Sequence, residues 1–110
     1  MRSEKQRLKD ILHSIGSIEH YYDSKRYFSD EPYRHGMVRY LEIIGEASRA
    51  LKQETRDLDE TINWKLIIGF RNIVIHQYHD LDWETVQNIL ENHIPKLKKQ
   101  IENLLTKAVN

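Results

Sequence analysis

The chain has 110 residues with 17 Lys or Arg, 17 Asp or Glu and no cysteine, so its formal net charge is zero. That length supports one hydrophobic core over residues 1–110, a single domain, and excludes a multidomain enzyme. The lack of cysteine excludes disulfides, thiolate metal sites and cysteine nucleophiles, and the balanced charge means that binding to nucleic acid would need a local basic patch.

No apolar run approaches the ~18 residues that span a membrane, and the start, MRSEKQRLKDIL, is charged where a signal peptide is apolar, which points to a cytoplasmic protein without a membrane partner. Leu8, Ile11, Leu12, Ile15, Ile18 and Tyr22 follow the i, i+3, i+4, i+7 rule and predict a first helix over about 4–23. Ser29, Asp30 and Pro32 supply turn chemistry and a helix start. The second helix is predicted over about 32–53, with Met37, Tyr40, Leu41, Ile44, Ala47 and Leu51 on one face and Arg39, Glu42, Glu46 and Arg49 away from its centre.

The polar stretch QETRDLDET reads as a connector to a third helix that begins near Ile62 to Trp64, with Asn63 as its cap. A fourth helix starts near Asp82 and carries the stripe Val86, Leu90, Ile94, Leu97, Ile101 and Leu104. Pro95 interrupts it, which predicts a kink or restart near His93 to Pro95. The expected fold is all-α, an up-and-down bundle of four main helices.

The third helix departs from an ordinary bundle. At about 100° per residue, Trp64, Leu66, Ile67, Ile68, Phe70, Ile73, Val74 and Ile75 spread around most of its circumference and leave a narrow polar strip of Lys65, Gly69, Asn72, His76 and His79. Such a helix reads as largely buried, and a short chain has difficulty surrounding it, so self-association would supply the missing cover. Arg71 projects among the apolar positions and needs an anion or acceptor there. Arg71 and His76 are five residues apart, about 140° around a regular helix, so they reach one phosphate only if the helix end unwinds or a second subunit completes the site.

The segment RNIVIHQY, Arg71 to Tyr78, resembles the R-x-x-x-x-H-x-Y signature of HepT-like toxins in the HEPN ribonuclease superfamily. LEIIGEASRAL at 41–51 is similar to that family's second-helix motif, and INWKLIIGFRN matches the tryptophan and glycine that lead into its arginine. Nearly the whole chain fits, in order. The resemblance implies a metal-independent endoribonuclease that acts as a homodimer with no cofactor, the motifs of both chains facing one cleft at the interface. It implies Arg71 and His76 as the catalytic pair, Asn72 as a positioning residue and Tyr78 beside the site. It further implies a partner, a minimal nucleotidyltransferase antitoxin of the MntA type, which neutralises the toxin by transferring AMP to Tyr78.

The residue types suit that chemistry. His76, with a reference pKa near ~6.5, can take a proton from an RNA 2′-hydroxyl or give one to the leaving 5′-oxygen. Arg71 stays protonated and offers a planar fork of donors to charge developing on the phosphorus oxygens. Plainer readings stand beside these. Arg71 could be a buried arginine bonded to Glu42 or Glu46, and His76 a helix-end histidine beside the negative end of the dipole. Asn72 could be a surface residue and Tyr78 a core aromatic. Glu46 is a secondary candidate for the site, pairing with Arg71. His76 and His79 have a spacing seen in metal sites, but no third ligand is evident and Asp80 reads as a turn. Lys96, Lys98, Lys99 and Lys107 could hold RNA phosphates or form a solvated face, as could Arg26, Arg34 and Arg39. Two other readings of the whole chain are a non-catalytic HEPN module that binds a nucleotide or a partner, and a structural helical dimer with Arg71 as a polar latch.

Overall fold

The computed structural model describes residues 2–24, 31–76 and 83–108, with side chains described within 2–22, 35–72 and 84–108. In chain order the elements are α1 (Glu4–Ser24), α2 (Glu31–Ala50), the short α3 (Gln53–Arg56), α4 (Trp64–His76), α5 (Trp83–Asn88), a π-helical turn (Ile89–His93) and α6 (Ile94–Lys107). No strand occurs among the described residues, and the fold is an all-α bundle as expected.

Local chemistry starts the helices where the sequence suggests. Ser3 and Gln6 form a reciprocal cap at α1: the Gln6 N–H donates to Ser3 Oγ at 3.1 Å and the Ser3 N–H to Gln6 Oε1 at 2.7 Å. Asn63 caps α4, its side-chain oxygen accepting from the Leu66 N–H at 3.1 Å. Periodic apolar residues then bury one face of each helix. Leu8, Ile11, Ile15 and Ile18 of α1 and Leu97, Ile101 and Leu104 of α6 have almost no exposed surface and join a single core cluster. Each such side chain contributes about 1.5–3 kcal/mol through its burial. Central in this arrangement, α2 packs against α1 and against α4, while α6 packs on α1.

Two expectations need correction. The second helix stops at Ala50 rather than near 53, and the expected connector QETRDLDET opens with α3. The cause is Glu4, whose Oε1 accepts from the Lys52 backbone N–H and from Thr55 Oγ1, both at 2.7 Å. That carboxylate draws the chain out of α2 at an extended Lys52 and fixes the start of α3 beside the first turn of α1. Burial pushes the Glu4 carboxyl up, but the Thr55 hydroxyl, the Lys52 N–H and the nearby Lys52 and Arg7 charges together hold it below its usual value.

The restart foreseen at Pro95 takes a specific form. The Ile94 N–H bonds back to the Ile89 carbonyl, a five-residue reach, and α6 then begins with Pro95 in its first turn. There the missing proline N–H costs little, and the widened turn relieves the ring's clash with the preceding carbonyl. Two side-chain ties brace this end against α1. Tyr22 Oη donates to Glu91 Oε1 at 2.7 Å, and Lys98 Nζ lies 3.1 Å from Glu19 Oε1.

Candidate active site

Gly45 determines how closely the two motif-bearing helices meet. A Cβ built on Gly45 in α2 would lie 2.9 Å from Arg71 Cβ, 3.0 Å from the Arg71 backbone nitrogen and 3.3 Å from the Ile68 carbonyl oxygen. Only glycine permits this approach, so the backbone of α4 at Arg71 rests directly on α2. Around the contact Leu41 and Ile44 of α2 and Ile67 and Phe70 of α4 are buried, which locks the register of the two helices.

Just beyond Gly45 the surface becomes charged. Arg71 is one-third exposed, at 34%, and its Nε lies 3.8 Å from Oε1 of Glu46, itself 42% exposed. That separation gives charge attraction without a hydrogen bond, so the guanidinium donors remain available to another anion. Arg39 approaches the same Glu46 oxygen at 3.9 Å but is held mainly by Glu42, at 2.9 Å. Glu46, Arg49, Ala50 and Arg71 line one open cleft of about 410 Å³.

Of the two carboxylates suggested for Arg71, the structure brings Glu46 to it and commits Glu42 to Arg39. The expectation that α4 is largely buried is met only in part among its residues with described side chains, which end at Asn72. Among its residues with described side chains only Ile67 and Phe70 are buried, whereas Trp64, Leu66 and Ile68 are partly exposed, and Arg71 sits at the margin of the core. Asn72 is exposed. The backbone of α4 stays helical through His76, while the His76 side chain and all of Tyr78, His79 and Asp80 lie outside the described residues, as do Arg26, Ser29, Asp30 and Asp82 and the side chains of Arg34 and Pro32. In the basic stretch of α6, Lys98 is engaged by Glu19, whose hydrogen bond raises the lysine's pKa.

The sequence reading passed over Gly45 and gave Arg49 no role. Both signals were present: a glycine inside a helix costs about 1 kcal/mol relative to alanine and marks a close approach, and Arg49 follows Glu46 by three residues on the same face.

An all-α bundle whose α4 carries an arginine five residues ahead of a histidine fits a protein of the HEPN class. Comparison with known proteins agrees. The family described as "Ribonuclease HepT-like" matches residues 9–104. The chain is 35% identical over 104 residues to "Putative RNase MJ1380" of Methanocaldococcus jannaschii, covering 92% of this chain and 95% of that protein. It is 31% identical over 106 residues to "Probable ribonuclease HepT" of Thermococcus cleftensis, covering 94% and 96%. No solved structure is a significant match. The chain belongs to the HepT-like family of the HEPN superfamily. Among the described residues no helix is long and apolar enough to cross a membrane.

Proposed function

We propose that this chain is a cytoplasmic, metal-independent endoribonuclease, the toxin of a toxin–antitoxin pair, which cleaves RNA as a homodimer. The observation that carries the reading is Arg71, half-buried in an open cleft with its donors uncommitted, on a helix that runs unbroken to His76. Family membership and the names of the relatives support the reaction class.

His76 removes the proton from a 2′-hydroxyl, whose oxygen attacks the adjacent phosphorus, and the 5′-oxygen leaves with a proton returned by a histidine. A cyclic phosphate remains, and this sequence of steps requires no metal. Arg71 binds the phosphate through its fork of donors and stabilises the charge that builds on the phosphorus oxygens. Asn72, one residue on, orients the phosphate, and Glu46 holds the guanidinium in place between turnovers.

Two features favour a composite site. Helical backbone through His76 sets positions 71 and 76 about 140° apart around the helix axis within one protomer. Leu66 and Ile68 also remain partly exposed on a helix of predominantly apolar sequence, a surface that a second copy covers. In the dimer, Arg71 of one protomer works with His76 of its partner.

Control lies at Tyr78. An MntA-type nucleotidyltransferase transfers AMP to it: the tyrosine oxygen attacks the α-phosphorus of ATP and pyrophosphate leaves. The added anion then blocks the cleft and occupies Arg71.

The test is incubation of purified protein with labelled RNA in EDTA, beside His76→Ala, with product ends and intact mass recorded. Cleavage to cyclic-phosphate ends that the variant lacks is the expected result. No cleavage by a chain of unmodified mass refutes the ribonuclease and leaves a binding module.

A further inference from the structure

We propose that Arg49 is a second phosphate-binding arginine of the RNA cleft, holding a backbone phosphate next to the one that Arg71 grips. The inference rests on the ribonuclease reading and extends it to a residue outside the R-x-x-x-x-H motif.

Arg49 stands in the last turn of α2 and shares the 410 Å³ cleft with Arg71. The arginines nearby differ in their partners. Arg39 is held by Glu42 at 2.9 Å and Arg71 faces Glu46 at 3.8 Å, whereas Arg49 makes no ion pair or side-chain hydrogen bond among the described residues and is exposed. Glu46 lies three residues before Arg49, within reach on one helix face, yet its carboxylate is turned to Arg71 and Arg39. Among the described residues the cleft therefore presents two guanidinium groups against one carboxylate, in a chain whose net charge is zero.

A single phosphate on Arg71 leaves this second cation unanswered, whereas a polymer with a phosphate at every residue answers both. Arg49 therefore acts in binding and register along the strand, and touches no reacting atom. A merely structural Arg49 would serve the negative end of the α2 dipole, a role that affects stability and leaves RNA affinity alone.

The experiment uses the full, unmodified chain. Binding of a short fluorescent single-stranded RNA is followed by anisotropy across a salt series, with His76→Ala present throughout so that nothing is cleaved. Adding Arg49→Ala weakens binding about tenfold, as for one charge-assisted contact, and lowers the slope of log affinity against log salt by about 0.7. Arg49→Lys restores the slope and part of the affinity, while Lys9→Ala, an equal loss of charge at an exposed position of α1, changes neither. With His76 intact, Arg49→Ala lowers kcat/KM by a similar factor, carried by KM. Unchanged affinity and slope in folded Arg49→Ala overturn the proposal, as does a parent protein that binds no RNA. RNA bound with the predicted Arg49 dependence but left uncut by the wild type upholds Arg49 and refutes the ribonuclease.

Discussion

The contact at Gly45 makes the sharpest demand on the fold, and Gly45→Ala tests it. The new methyl would stand 2.9 Å from Arg71 Cβ and 3.0 Å from the Arg71 nitrogen, where carbon atoms at rest keep about 3.5–4.0 Å. The obstructing atoms are backbone and Cβ, so no rotamer change clears them and α2 and α4 must part by about 0.5–1 Å. Overpacking of this kind costs about 1–3 kcal/mol. Replacing glycine inside a helix returns about 1 kcal/mol, so the net loss is about 0–2 kcal/mol. Gly16 supplies the control, because a Cβ there meets nothing within 4 Å. Gly16→Ala should gain about 1 kcal/mol. Thermal unfolding followed by circular dichroism, at one protein concentration, should therefore separate the two variants by about 4–12 °C at roughly 4 °C per kcal/mol. Cleavage of RNA should fall in Gly45→Ala, since Arg71 moves with the backbone, and stay at the parent level in Gly16→Ala. If Gly45→Ala raises the midpoint as much as Gly16→Ala does, the close approach of α2 and α4 is refuted.

Four further outcomes are expected. Arg71→Lys keeps the charge but loses the planar fork, and should lower kcat at least tenfold with little change in Tm. Glu4 has a depressed carboxyl pKa, so its contribution to stability is complete above the usual glutamate value of 4.5 and is lost as pH falls through the lower folded value. Between about pH 5 and pH 3, urea unfolding of the parent should weaken more steeply than that of Glu4→Gln. Tyr78→Phe should remain toxic when a cognate nucleotidyltransferase is co-expressed, with no mass gain of one AMP. Mixed after co-refolding, Arg71→Ala and His76→Ala chains should recover about a quarter of the parent cleavage, because half the dimers are mixed and each mixed dimer rebuilds one of two composite sites; no recovery would place both residues of a site in one protomer.

The apolar stripes of α1, α2 and α6 were legible because periodicity and burial coincide there, and Asn63 because a capping side chain acts on its own next turn. The end of α2 was not, because the residue that ends it is Glu4, 48 positions away in sequence from Lys52. Nor could the wheel of α4 tell Ile67 and Phe70, which are buried, from Trp64, Leu66 and Ile68, which stay partly exposed: all five are apolar and only their neighbours differ. At the candidate site, residue types singled out Arg71 and offered Glu42 or Glu46 as its partner, but the pairing of Glu42 with Arg39 and the long Glu46 contact depend on side-chain geometry.

If the proposed reading holds, that long contact also explains how a chain without net charge can meet a polyanion. Half-exposed ion pairs near 4 Å contribute only about 0–1 kcal/mol, so exchanging Glu46 for a phosphate costs Arg71 little. A phosphate that accepts two parallel bonds from the guanidinium recovers more than the exchange loses. Glu46 then keeps Arg71 ordered and partly neutralised in the empty protein without competing strongly for it. A closer pair, at the 2.9 Å of Arg39 and Glu42, would hold the guanidinium against its substrate. On the proposed reading, cleavage depends on the loose pairing of Glu46 with Arg71, and the surplus guanidinium of Arg49 provides the local basic patch that the overall composition lacks.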